Sequence, residues 1–306
     1  MNHAVVGLGR MGSGIARRAA RAGFHVVVTN RSPDVSIRLA SEVRGIEPAT
    51  DLEDVMARLP SPRCVWLMLP AGEPTDAATT HLGPLLSPGD VVVDGGNSFY
   101  RDSQARHAAL AARGVGFVDV GTSGGVAGES QGYCLMVGGR KEDVDPLSPW
   151  FDALAAGGRL GWRRVGPSGA GHFVKMVHNG IEYGLMQAYA EGFALLRKKR
   201  EFDLDLRSIA DLWGRGSVVR SWLLELVVGA LSRDPALSSV APWVADSGEG
   251  RWTVAEAIAA DVAAPIITGA LLTRIASRDG EDFAARLVAA LRGEFGGHEV
   301  RQDTSD

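Results

Sequence analysis

The sequence predicts an α/β protein, with a doubly wound parallel sheet in the first half and an all-α second half. Three observations predict it. Short apolar runs alternate with helical patterns as far as Val137, and glycine-rich turns close most of those runs. The runs are almost unbroken in apolar character, as in strands covered on both faces. Beyond Gly166-Pro167-Ser168-Gly169 the runs cease and only helical periodicity continues. At 306 residues there is length for two domains, expected at 1–166 and 167–306.

The first element is a strand within His3–Leu8. It leads into Gly7-Leu8-Gly9-Arg10-Met11-Gly12, then a helix over Ile15–Ala22 that stops at Gly23, then a second strand, Phe24–Thr29. Alone, a GxGxxG string is weak in a chain with 39 glycines. Between a strand and a helix it becomes the fingerprint of a Rossmann-like dinucleotide-binding unit. The glycines allow a tight turn and close approach of pyrophosphate, and the helix N-terminus offers unpaired N–H groups to the phosphates. Gly7, Gly9, Met11 and Gly12 are therefore cofactor candidates.

At the end of the second strand, NAD-specific sites usually carry a carboxylate for the ribose 2′-hydroxyl. Here the residues are Asn30-Arg31-Ser32. An arginine suits a 2′-phosphate, so NADP is the preferred reading, with NAD open. Arg31 as a plain loop charge, and Ser32-Pro33 as a helix start, are compatible with either.

Four further strands follow the same logic. Arg63–Leu69 ends in Pro70-Ala71-Gly72, making Leu69 and Ala71 cofactor candidates. Val91–Asp94 ends in Gly95-Gly96-Asn97-Ser98, and Val115–Val120 runs into Gly121-Thr122-Ser123-Gly124-Gly125. Tyr133–Val137 ends in Gly138-Gly139. Ligands of such sheets sit at the carboxyl ends of strands, which nominates Asn97, Ser123, Gly124 and Gly125. As ordinary turn residues they would need no function.

In the second half one long helix is expected over Ala170–Arg197. Shorter ones are expected at Leu206–Trp213, Val218–Leu231, Thr253–Ala260, Ile266–Ala276 and Glu281–Leu291. Gly180, Gly184 and Gly192 each cost the long helix about 1 kcal/mol relative to alanine. Such glycines mark close approach of another helix or a ligand. At about 100° per residue, Lys175, His178, Asn179 and Glu182 share one face, with roughly 10 Å of rise between the lysine and the glutamate. A polar stripe of this spacing is ordinarily a solvated helix face. Here Phe173, Val174, Met176, Val177, Ile181, Leu185, Met186, Phe193, Leu195 and Leu196 make the helix apolar nearly all round. The expectation is a buried helix whose polar stripe lines a reaction centre.

A net charge of −4 and a pI near 6.0 leave no footprint for nucleic acid or an anionic membrane. Cys64 and Cys134 lack any metal-ligand spacing, so no metal is expected. The start of the chain runs straight into a strand, and no apolar run approaches the ~20 residues of a membrane span. A cytoplasmic protein is expected.

Together GLGRMG at 7–12, NRS at 30–32, DGGNS at 94–98, TSGG at 122–125, GAGHFVKMVHNGIEYG at 169–184, RWT at 251–253 and RGEFGGH at 292–298 resemble the decarboxylating 6-phosphogluconate dehydrogenases. These belong to the β-hydroxyacid dehydrogenase superfamily, and the length resembles their short form. The resemblance implies oxidation of 6-phosphogluconate at C3 by NAD(P), loss of C1 as CO2, and release of ribulose 5-phosphate. It implies Lys175 as general base and Glu182 as the acid that protonates C1 of the resulting enediol. His178 and Asn179 would position substrate and nicotinamide, while Asn97, Ser123, Gly124 and Gly125 hold hydroxyls and carboxylate. Tyr183 and Arg274 match phosphate ligands. Arg292 and His298 match a pair that a neighbouring subunit contributes, which implies a homodimer or tetramer. One departure stands out: the long form carries a phosphate-binding lysine where this chain has Ser247, with Arg251 or Arg274 left to compensate. The competing readings are a β-hydroxyacid dehydrogenase for a small unphosphorylated acid, and an inactive NADP-binding scaffold.

Overall fold

The structure, a computed structural model, describes residues 1–278, 283–284 and 287–288. It divides into two compact units, Met1–Asn179 and Gly180–Asp306. That division falls inside the long helix rather than at 166/167, because the first turns of the helix pack into the sheet.

The first unit begins β1 (Asn2–Val6), α1 (Arg10–Arg21), β2 (Val26–Thr29), α2 (Pro33–Glu42), β3 (Ile46–Pro48) and α3 (Leu52–Arg58). It continues β4 (Arg63–Leu67), α4 (Glu73–Leu82), β5 (Val91–Asp94), α5 (Tyr100–Ala111) and β6 (Gly116–Ser123). Then come α6 (Gly128–Gln131), β7 (Cys134–Gly139), α7 (Lys141–Val144), α8 (Ser148–Leu154) and β8 (Trp162–Gly166). The described strands form one sheet in the order β3-β2-β1-β4-β5-β6-β7-β8. Neighbouring residues of one strand enter opposite cores. Val5, Trp66 and Val93 join Ile15, Trp150 and Phe151 on one face, while Ala4, Val65 and Val92 join Leu59, Leu82 and Leu110 on the other. This double coverage explains the unbroken apolar runs.

Three features depart from the expected sheet. β3 and β8 carry too little apolar sequence to announce themselves; β8 is an edge strand with Arg163 and Arg164 exposed. The third is the direction of β7, which pairs antiparallel to β6 with Ser123 opposite Cys134. The intervening 124–133 falls short of the dozen or more residues that a crossover to a parallel neighbour needs.

Helix α9 (Ala170–Lys198) docks its first turns on β6 and β7 through glycines. A Cβ on Gly171 would lie 2.4 Å from the carbonyl oxygens of both Asp119 and Met136, and one on Gly121 would lie 2.3 Å from Lys175 Cβ. The buried Asp119 carboxylate caps this helix, accepting from Gly169 N–H at 2.7 Å and His172 N–H at 2.9 Å. Contrary to expectation, α9 is not buried on every side: Val174, Ile181, Leu185 and Leu195 are exposed in the single chain. An apolar pattern records that a face is sticky, whether or not its own chain covers it.

The second unit adds α10 (Leu206–Trp213), α11 (Trp222–Arg233), α12 (Glu249–Ala259) and α13 (Pro265–Ala276). The helix expected from Val218 starts later, where the Ser221 hydroxyl caps Leu224 N–H at 3.1 Å. The helix expected from Thr253 starts earlier, at Glu249. The helix expected over Glu281–Leu291 lies largely outside the described residues. Gly180 lets α12 approach, since its Cβ would sit 2.6 Å from Thr253 Cγ2, whereas Gly192 faces open space. No helix among the described residues is long and apolar enough to cross a membrane.

Alanine at an ordinary helix glycine stabilises by about 1 kcal/mol. At Gly171 the opposite sign is expected: Gly171→Ala should cost about 1–3 kcal/mol by overpacking against rigid backbone, read from the urea midpoint. A stabilised variant would show that α9 does not seat this closely.

Candidate active site

The turn after β1 is built for close approach. Gly7 has φ +91°, and a Cβ on Gly12 would fall 1.9 Å from the Gly7 carbonyl oxygen, so neither tolerates a side chain. Gly9 differs, being exposed with nothing near its missing Cβ, at the N-terminus of α1 where no side chain caps the helix. That leaves the first N–H groups of α1 turned to an open cradle, which fits a pyrophosphate. Met11 is partly buried against the core.

Asn30 braces this turn instead of pointing outward. Its Oδ1 accepts from Leu8 N–H at 3.0 Å and its Nδ2 donates to the Ser32 carbonyl at 3.3 Å. Arg31 and Ser32 are exposed beside it. Ser32 stands at the N-cap of α2 before Pro33, but its hydroxyl makes no cap bond. Leu69 and Ala71 follow β4, and Asn97, exposed, follows β5. Because β2, β1, β4 and β5 are neighbours in the parallel part of the sheet, all these candidates gather along one edge, at the carboxyl ends.

The Asn97 loop is held from beneath by a network the sequence reading missed. Buried Asp94 accepts from Gly96 N–H at 3.1 Å and pairs with Arg106 Nη1 at 2.9 Å, and Arg106 Nε reaches Asp76 at 2.8 Å. A second missed pair is Ser103 and His172, both buried, with Oγ 2.7 Å from Nδ1. This joins α5 to α9 just before Lys175. The available signal was an acid closing an apolar run, as in VVVD at Asp94 and FVDV at Asp119; a buried carboxylate of this kind demands partners.

The polar stripe of α9 meets the β6 loop. Ser123 Oγ lies 3.4 Å from His178 Nε2; His178 Nδ1 lies 3.1 Å from Asn179 Oδ1 and 3.4 Å from Lys175 Nζ. Lys175, His178 and Asn179 are all half-buried. Gly124 and Gly125 adopt φ +132° and +53°, bending the loop beyond Ser123. Two turns along the same helix stands Glu182, also half-buried.

Tyr183, Arg274 and Ser247 belong to the second unit. The Tyr183 ring is buried, with the Arg274 guanidinium stacked 3.5 Å from its centroid. No carboxylate among the described residues pairs with Arg274. Arg251 is instead committed to Asp246, Nε to Oδ2 at 2.5 Å, and Ser247 donates to buried Glu249 at 2.6 Å. Burial raises the Asp246 carboxyl pKa, but bonds from Arg251 and Gly248 N–H and the nearby Arg278 charge outweigh it and hold the group below its usual range. Of Arg251 and Arg274, it is Arg274 that has no competing carboxylate among the described residues. Arg292 and His298 lie outside the described residues.

Cys64 is buried and its thiol is pushed up to about 12 by that burial, which makes it a packing residue. Among the described residues no three His, Cys, Asp or Glu side chains are grouped to hold a metal.

Arg106→Leu should leave the Asp94 charge buried without its partner, costing about 3–5 kcal/mol in a urea titration. A loss below about 1 kcal/mol, the size of an exposed pair, would mean that this network does not support the Asn97 loop.

Two family models cover nearly the whole chain. The NAD binding domain of 6-phosphogluconate dehydrogenase matches residues 2–166, and the C-terminal domain of 6-phosphogluconate dehydrogenase matches residues 171–291. A relative from Haloferax volcanii, an NAD(+)-dependent decarboxylating 6-phosphogluconate dehydrogenase, is 46% identical over 301 residues, covering 98% of each chain. An NADP(+)-dependent decarboxylating relative from Bacillus subtilis is 34% identical over 313 residues, covering 99% of this chain and 66% of its own. Among solved structures, the Plasmodium falciparum 6-phosphogluconate dehydrogenase superposes with a TM-score of 0.84 at 26% identity, covering 100% of this chain and 67% of that one. The fingerprint turn, the stripe on α9 and these matches over both halves agree: the chain belongs to the 6-phosphogluconate dehydrogenase family.

Proposed function

We propose that the protein oxidises 6-phosphogluconate at C3 with NAD(P), releases C1 as CO2 and yields ribulose 5-phosphate. The observation that carries this reading is the half-buried Lys175 amine, 3.4 Å from the imidazole of His178, on a helix seated against the β6 loop. When bound, the nicotinamide ring supplies a hydride acceptor. Lys175, unprotonated, takes the C3 hydroxyl proton as the C3 hydride leaves, giving a 3-keto acid. The same lysine, now an ammonium, donates to that carbonyl oxygen and draws in the electron pair freed when the C1–C2 bond breaks. The enediol left behind then needs a proton on the former C2, which becomes C1 of ribulose 5-phosphate, and Glu182, two turns further along α9, supplies it. His178 and Asn179 orient the hydroxyls, with Asn97, Ser123, Gly124 and Gly125 completing that surface.

The dinucleotide is assigned to the edge formed by Gly7, Gly9, Met11, Gly12, Asn30, Arg31, Ser32, Leu69, Ala71 and Asn97. Exposed Arg31, with no neighbouring acid in the Asn30–Ser32 turn, supports NADP over NAD. The names of relatives divide on this point, one NAD(+)-dependent and one NADP(+)-dependent. The proposed division of labour is 1–166 for dinucleotide and 167–306 for substrate and subunit contacts, in a cytoplasmic homodimer or tetramer. Exposed Ile181, Leu185 and Leu195 on α9 support a second copy as their cover. So does the second unit's small core cluster of Tyr183, Ala270 and Leu271. Arg292 and His298 are assigned to the neighbouring copy's site.

Lys175→Met should abolish turnover, by about 10³-fold or more, while dinucleotide binding followed by fluorescence is retained; substantial residual activity would remove the assigned base. Release of CO2 from 6-phosphogluconate, set against turnover of 3-hydroxyisobutyrate, separates this reading from that of a dehydrogenase for unphosphorylated acids. Arg31→Ala should raise KM for NADP roughly 10-fold, the worth of one charge-assisted contact, and leave NAD unchanged. Equal effects on both cofactors would assign Arg31 to the loop alone.

A further inference from the structure

The second unit contains two polar atoms that are buried and bonded to nothing, the Tyr183 hydroxyl and Arg278 Nε. A buried donor without an acceptor costs about 1–3 kcal/mol, so each is a candidate ligand contact. Both residues adjoin Arg274. The Arg274 guanidinium stacks on the Tyr183 ring and its Nη1 reaches the Ala245 carbonyl at 3.4 Å. Arg278 lies one helical turn beyond Arg274, with Nη2 3.3 Å from Asp246 Oδ2. Ser277 Oγ accepts from Val244 N–H at 3.1 Å and donates to the Arg274 carbonyl at 2.8 Å. The turn carrying Arg278 is thereby fastened to the segment 244–246.

Among the described residues the charges do not balance: Arg251 and Arg278 share the one carboxylate of Asp246, Arg274 pairs with none, and the buried Glu249 is engaged by Ser247. Arg251 is half exposed and takes the better of the two bonds to Asp246, at 2.5 Å against 3.3 Å for Arg278. The uncompensated positive charge therefore falls on the inner pair, Arg274 and Arg278. Three donors from two elements, a phenol and two guanidiniums, match the three terminal oxygens of a phosphate monoester; a carboxylate has only two.

We propose that Arg278 is a ligand of the substrate phosphate, completing with Arg274 and Tyr183 an oxyanion pocket within the second unit. This rests on the reading of 6-phosphogluconate as substrate. It answers how phosphate is held where Ser247, already bonded to Glu249, offers no charge.

The test is steady-state kinetics of the full-length enzyme. Arg278→Ala should raise KM for 6-phosphogluconate roughly 10-fold or more, with kcat within about twofold and KM for the dinucleotide unchanged. Inorganic phosphate, used as a competitive inhibitor, should weaken by a similar factor, and Arg278→Lys should recover part of both. If the alanine variant fails to fold, Arg278→Gln keeps most of the stem and serves in its place. Unchanged KM and unchanged phosphate inhibition would overturn the assignment. So would a fall in kcat with a parallel rise in dinucleotide KM, which would mark Arg278 as structural. A wild-type enzyme inactive on 6-phosphogluconate would sink the functional reading instead, and calorimetric binding of inorganic phosphate to wild type and Arg278→Ala would still decide the pocket.

Discussion

The buried carboxylate of Asp119 sets where the chemistry of this protein stands. It projects from β6 and receives two N–H groups at the start of α9, satisfying donors that a helix N-terminus otherwise leaves open. Its negative charge also faces the positive end of the helix dipole. Since α9 carries Lys175, His178 and Asn179 within its first turns, fixing its origin fixes the height of all three. The glycines fix its distance: Gly121, Gly138 and Gly171 leave no room for a Cβ between helix and strands. A polar anchor and a steric floor together fix the backbone from which the lysine side chain projects.

The same device recurs under the other loops. Asp94 is buried at the end of β5, bonds the backbone of its own glycine turn and is neutralised by Arg106. Asn30 spans from the second strand's loop to the first, tying the glycine turn after β1 to the Asn30–Ser32 turn. In each case a short polar side chain replaces water as the partner of loop backbone. Loops are otherwise more mobile than the elements they connect; these are fastened by side-chain hydrogen bonds to their own backbone.

The second unit works by different means. Its own core is slight, and its helices leave Leu226, Ile258, Ile266 and Leu272 exposed. Ionic contacts tie its segments together at Asp246, which collects Arg251 and Arg278 on one carboxylate. Such an arrangement holds two guanidinium groups in place on a single counter-charge among the described residues.

Much of this was legible in the sequence. The Rossmann-like half followed from apolar runs and glycine turns, because local period and turn chemistry act over a few residues. The stripe from Lys175 to Glu182 followed from helical geometry alone. The sequence could not disclose the antiparallel β7, since strand direction depends on which neighbour a short connection can reach. Nor could it disclose the capping role of Asp119, whose partners lie 50 and 53 residues away along the chain. The exposure of α9 was misjudged for a related reason: an apolar face shows that burial is favourable but not which surface provides it. Residue type and spacing determined what chemistry the chain carries. Only the tertiary structure decided which charges meet, because a hydrogen bond or ion pair acts over about 3 Å between groups whose separation along the chain carries no such information.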